Sequence, residues 1–154
     1  MTEKDDYNLM LFHFAYQTFI KTADEIIEKY GMSRQHHRFL FYISKMPGIS
    51  VKELLDFLEI TKQGSHRTFS KLKTEQLIEE YQANDDKRIK RLYPTQKGKN
   101  LVQILNEEQN KLLTNVFEDA GYEWFNVMER LAHKREGFRT IQAKYQLGEE
   151  KDEF

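Results

Sequence analysis

The side chains best suited to chemistry fall in two short stretches. Between Thr61 and Lys71, Phe69 and the nearby Leu72 mark the inward side of a helix. This turns Gln63, His66, Arg67, Ser70 and Lys71 onto the opposite surface at steps of three and four. Gln and Arg can each make paired hydrogen bonds to a base edge, Gln to adenine and Arg to guanine. Thr61, Lys62, Ser70 and Lys71, with the helix N-terminus, suit phosphates. An ordinary solvated face would carry similar residues. The second stretch holds Lys87, Arg88, Lys90 and Arg91 behind the polar run Asn84, Asp85, Asp86. An arginine at a loop tip suits a narrow minor groove, where the potential is most negative. Asp86, two residues before Arg88, can hold that guanidinium by a charge-assisted hydrogen bond. A solubilising turn would read the same way.

Other chemistries find little to work with. There is no cysteine, which excludes disulfides, thiolate metal sites and thiol redox sensing. The five histidines, His13, His36, His37, His66 and His133, lack metal-ligand spacing, since the neighbours His36 and His37 point about 100° apart on a helix. No phosphate-cradling glycine loop, nucleophile elbow or His-Glu-x-x-His occurs. Glu79 and Glu80 are adjacent on an expected strand and so face opposite sides, which makes them a poor acid-base couple and better solvated edge residues. The expectation is a protein without catalysis, metal or cofactor.

The elements that must position these residues read as mainly helical. From Asp6 to Tyr30, Leu9, Phe12, Tyr16, Phe19, Ala23, Ile26 and Tyr30 recur at helical steps, and Met10, Phe14, Ile20 and Ile27 widen the stripe beyond what one small core needs. Gly31 ends that helix. Ser33 caps a second helix to about Lys45, before the turn at Pro47 and Gly48. Ser50 and Thr61 cap two short helices with a minimal connection, a helix-turn-helix pattern, the second lasting to about Glu75. Segments 77–83 and 89–93 read as a hairpin. Thr95 then caps a helix running to Gly121, and a last helix runs from about Trp124 to Tyr145. The acidic end, Glu149 to Phe154, is expected to fray.

The whole chain sets the bounds. Its 154 residues suit one domain, and 39% hydrophobic content supports a folded core despite 32% charged residues. Two prolines and seven glycines favour long helices over a many-stranded sandwich. No signal peptide or transmembrane run is visible, so the cytoplasm is the expected location. A net charge of −1 argues against a nucleic-acid binder until its distribution is seen. Between Lys62 and Lys99 ten basic residues stand against five acidic ones, a basic face on an otherwise acidic body.

With these residues in place, the sequence resembles the multiple-antibiotic-resistance regulator (MarR) family from about Tyr7 to Leu147. Two motifs carry the resemblance. The run Ile49 to Leu55 followed by Ile60 to Leu72 is similar to the family's helix-turn-helix. Asp86-Lys-Arg88 followed by Tyr93-Pro-Thr-Gln-Lys-Gly98 is similar to its Asp-x-Arg wing and the Leu-Thr-x-x-Gly start of its dimerisation helix, with Pro94 replacing leucine. Ser65 stands where the family usually has an apolar residue, and the neighbouring Gly64 is a poor helix former, so a loose start to that helix is expected.

The resemblance implies a winged helix-turn-helix lobe (about 33–95) on dimerisation helices (about 6–30 and 96–146). It further implies a homodimeric, ligand-responsive repressor binding a pseudo-palindromic double-stranded DNA operator. Arg88 would be the minor-groove arginine, and Gln63, His66 and Arg67 recognition-helix contacts. Phe12, Tyr16, Phe39 and Tyr42 are expected to line a cavity for a small aromatic or anionic effector, against the competing reading of core packing. The rival function is a winged-helix module binding a protein partner. Lys62, Arg67, Lys87, Arg88 and Arg91 weigh against it, because protein interface cores are depleted in lysine.

Overall fold

Each helix starts where a side chain can satisfy its unpaired amides. The structure, a computed structural model, describes residues 2–121 and 123–145. Thr2 and Asp5 form a reciprocal cap for α1 (Glu3–Ile27), which begins three residues earlier than the apolar periodicity suggests. Its last turn tightens into a 3-10 turn, Glu28–Tyr30, before Gly31 takes a φ of 69°. Ser33 starts α2 (Arg34–Lys45), Ser50 caps α3 (Val51–Leu58) and Thr61 caps α4 (Lys62–Thr74). Strands β1 (Ile78–Gln82) and β2 (Lys90–Pro94) pair antiparallel, Ile78 opposite Pro94 and Gln82 opposite Lys90.

A short extended stretch joins this hairpin from the other side. Gly48 N–H donates to Leu92 C=O (2.8 Å), and Leu92 N–H donates to Ile49 C=O (2.9 Å). It lay hidden in the sequence because it is only a turn's length long and its hydrogen bonds are non-local. Thr95 then caps α5 (Gln96–Ala120), accepting from Gly98 N–H at 3.0 Å. Gly98 is where α5 lies against the entry to β1: a Cβ there would sit 2.1 Å from the carbonyl oxygen of Leu77.

The core of the lobe is built from Phe39, Leu40 and Ile43 of α2, Leu54 of α3, Leu72 of α4 and Leu92 of β2, with Leu101 and Leu105 of α5 closing it. This fold, mostly helical with a two-stranded wing, is the one expected. The expected single last helix is instead two, α6 (Trp124–Ala132) and α7 (Glu136–Tyr145). The chain bends at residues 133–135 because α7 docks on α3 of its own lobe. Gly137 lies against Phe57, Arg135 pairs with Glu59 (3.2 Å), and Lys144 pairs with Glu53 (2.7 Å). No proline or glycine marks that bend. The expected fraying at residues 149–154 and the far ends of the second dimerisation segment and of the resemblance, residues 146 and 147, lie outside the described residues.

Candidate nucleic-acid interface

Helix α4 divides cleanly by burial. Ser65, Thr68, Phe69 and Leu72 face the lobe, and Lys62, Gln63, His66, Arg67 and Ser70 are exposed along the opposite side. The expected loose start is instead pinned by side chains. Thr61 Oγ1 accepts Gly64 N–H at 3.1 Å, and Ser65 Oγ donates to Lys62 C=O at 2.7 Å, which satisfies the one hydroxyl set where an apolar residue was expected. Gln35 of α2 adds a third tie, its carboxamide donating to Gly64 C=O (3.0 Å) and to Thr68 Oγ1 (2.8 Å). Nothing in the sequence marked Gln35, because its partners lie 29 and 33 residues away.

The wing tip carries the arrangement expected of Asp86. Its carboxylate takes Arg88 Nε at 3.1 Å, Nη2 at 3.0 Å and the Arg88 backbone N–H at 3.0 Å. These side-chain bonds, then the backbone one, hold the Asp86 carboxyl below its ordinary value. The guanidinium is thereby aimed while its side chain stays 90% exposed. Lys87 beside it is exposed as well.

Three of the expected contact residues also bond within the chain. Lys71 is half-buried and pairs with Glu75 (3.3 Å). Arg91 donates to Gly48 C=O (3.1 Å), tying β2 to the stretch before α3. Lys90 pairs with Glu80 (3.3 Å), which also holds Lys73 of α4 (2.7 Å). Burial opposes ionisation of Glu80, but the two lysines outweigh it and keep the carboxyl below its ordinary value. Glu80 is therefore a clasp between α4 and the wing, and not the solvated edge residue expected.

The four expected pocket aromatics do not come together. Phe39 is fully buried against Phe69 (ring centroids 5.0 Å), and Tyr42 packs edge-on to Phe57 (4.7 Å). Phe12 and Tyr16 lie exposed on α1, 54% and 47% accessible. Within the single chain Phe39 belongs to the core and the partly buried Tyr42 packs against it. Among the described residues no group of three or more His, Cys, Asp or Glu side chains is placed to hold a metal ion, and no helix is long and apolar enough to cross a membrane.

A capped helix pair with its second helix presented outward, flanked by a hairpin with a braced arginine at its tip, defines a winged helix-turn-helix protein. The family model of the MarR family matches residues 30–89, which span α2 to the wing. The chain is 33% identical over 108 residues to the HTH-type transcriptional regulator PetP of Rhodobacter capsulatus, a match covering 70% of this chain and 65% of that protein. Among solved structures, a MarR transcriptional regulator from Methanosarcina mazei superposes with a TM-score of 0.70 at 25% identity, covering 84% of this chain and 96% of that one. FabT of Streptococcus pneumoniae, solved in complex with DNA, superposes at 0.65 and 16% identity, covering 94% of this chain and 96% of that one. Across residues 30–89 the chain is thus similar to the MarR family, and it spans just under two thirds of the length of PetP.

Proposed function

We propose that this chain is a homodimeric transcriptional regulator, and not an enzyme, that binds double-stranded DNA with α4 in the major groove and the wing in the minor groove. The observation that carries the reading is the outward face of α4, with Gln63, His66, Arg67 and Ser70 beside a wing arginine already oriented by Asp86. The relatives named as transcriptional regulators, and FabT with its bound DNA, support it. Residues 33–95 act as the reading lobe and the remaining helices as the dimer body, all in one domain. A site of action on DNA fits the cytoplasm.

Dimerisation is supported by α1. Its residues 2–18 are all exposed in a single chain, and they include Leu9, Met10, Phe12 and Phe14. Effector control rests on a narrower observation. A cleft of about 190 Å³ opens between Tyr30, Met32, Leu77, Leu101 and Ile104, where the lobe meets the dimer helices. Its size suits a small one-ring ligand, since drug-sized sites start at about 300 Å³.

The deciding experiment is fluorescence anisotropy with an operator selected from random duplexes, comparing the parent with an Arg67→Ala, Arg88→Ala double variant. A loss of roughly 100-fold at the operator is expected from one base-edge and one groove contact. Unchanged affinity in the folded double variant would favour the protein-partner reading.

A further inference from the structure

Two neighbouring residues at the start of α2 reach in different directions. Arg34 forks onto Asp24 of α1, with Nη2 to Oδ2 at 2.6 Å and Nε to the same oxygen at 3.1 Å. Gln35 spends both N–H bonds of its carboxamide on the first two turns of α4, at Gly64 C=O and Thr68 Oγ1. Asp24 stands next to the buried Ala23 at the lobe-facing end of α1, while the other end of α1 carries the exposed apolar stripe. One helical turn therefore touches the body helix with one residue and the base-facing helix with the next.

We propose that Arg34 and Gln35 form the coupler that sets the pose of α4 relative to the dimer body. Gln35 is the positioning residue for base discrimination, and the Arg34–Asp24 pair is the positioning pair for half-site spacing. The proposal rests on the DNA-binding reading above and adds to it which residues, themselves away from DNA, determine what is read.

The physical argument turns on direction. The packing that otherwise joins α2 to α4, such as Phe39 on Phe69, is apolar and tolerates rotation and sliding of α4 about its own axis. Hydrogen bonds do not: they weaken steeply as their angle opens. A constellation reading a base edge must be held within about 10–20° of its productive geometry. Two bonds from one carboxamide, to atoms one turn apart on α4, resist rotation about the axis and sliding along it together. The forked Arg34–Asp24 pair has the same directional character. Half-sites lie about one helical turn of DNA apart, so the distance from α4 to the dimer axis determines which spacing fits.

The test uses the full chain with the selected operator, a scrambled duplex, and operators whose half-site spacing is changed by one or two base pairs. Gln35→Met keeps the length of the side chain and removes both donors. Its operator-to-scrambled affinity ratio should fall about tenfold, as for a displaced base contact, with unchanged salt dependence because no phosphate-facing cation is lost. Asp24→Asn and Arg34→Ala should broaden the spacing preference and leave base preference in place, and the exchanged pair Asp24→Arg with Arg34→Asp should restore it. Hydrogen exchange without DNA supplies an independent arm: the Gly64 and Ser65 amides should exchange faster in Gln35→Met. If that variant does not fold, Gln35→Glu, which cannot donate to Gly64 C=O, takes its place. A folded Gln35 variant with parental discrimination and parental exchange overturns the coupler. A parent that discriminates no duplex overturns the DNA-binding reading instead, and exchange at Gly64 and Ser65 then decides alone whether Gln35 holds α4.

Discussion

At the scale of single residues, burial and hydrogen bonding separate groups that look alike in the sequence. Of the basic side chains from Lys62 to Arg91, Lys62, Arg67, Lys87 and Arg88 stand outward, Lys90 is exposed and also pairs with Glu80, and the half-buried Arg91 secures the wing. Arg88→Ala should weaken binding to every duplex, most at narrow A·T-rich minor grooves, and flatten the salt dependence by about one unit of slope. Gln63→Ala or Arg67→Ala should instead cost about 1–3 kcal/mol at the operator and much less on scrambled DNA. Anisotropy titrations across salt concentrations distinguish the two patterns.

His36 supports a prediction of another kind. Its Nδ1 accepts the Ser33 N–H at 3.0 Å, completing the cap of α2, a role only an unprotonated Nδ1 can fill. Burial, and then the charge of Lys71, holds the imidazole below its ordinary value. The folded state thus favours the neutral ring. The stabilising contribution is complete above about pH 6.5, the unfolded value, and is lost as pH falls through the lower folded value. Thermal melts from pH 7.5 to 5 should show stability declining with acid, and His36→Gln, which retains an acceptor without titrating, should reduce that decline. His37, also pushed down chiefly by burial, would account for what persists.

At the scale of elements, what the sequence made legible was local. Ser50, Thr61 and Thr95 announced their helices because an N-cap is satisfied within three residues, and all three cap as expected. The hairpin showed itself through alternation around a polar loop. Non-local contacts left no such trace. The bend between α6 and α7 is set by α3, the stretch at Gly48–Ser50 by β2, and the hold on α4 by Gln35, so none follows from neighbours in the chain. The same distinction bears on the aromatics: residue type identified Phe39 and Tyr42 as apolar, but only packing shows Phe39 against Phe69 and Tyr42 against Phe57. Gly98 joins both kinds of information, being a motif residue whose reason is tertiary. Gly98→Ala would press a Cβ onto the Leu77 carbonyl, which is backbone and cannot swing aside. Helix α5 or the start of β1 must shift, at a cost of about 1–3 kcal/mol typical of overpacking. Chemical denaturation should register this as a lowered midpoint with an unchanged slope.

At the scale of the whole molecule, a lone chain leaves α1 half-finished. A 25-residue helix buries only Ala23 and Ile27, both near its C-terminal end, and leaves Tyr7, Leu9, Met10, Leu11, Phe12 and Phe14 about half exposed or more. Val116, Trp124, Phe125, Val127 and Leu131 of α5 and α6 are exposed in the same way. Soluble monomers seldom expose contiguous apolar patches beyond a few hundred Å², so a second copy that covers both segments is the expected occupant. A two-fold pair would also present two α4 helices, which is what a pseudo-palindromic site requires. Light scattering should therefore report twice the chain mass of 18.6 kDa at micromolar concentration. Placing a charge in the stripe, as in Phe12→Asp with Phe14→Asp, should shift that mass toward the monomer. The lobe should still fold in this variant, because neither side chain enters its core. Operator affinity should drop by orders of magnitude, since one lobe loses the effective concentration supplied by its twin, while binding to a single half-site stays near the value for one parental lobe. A parent chain that scatters as a monomer at micromolar concentration, with its stripe buried within one chain, would count against the dimeric regulator as a whole.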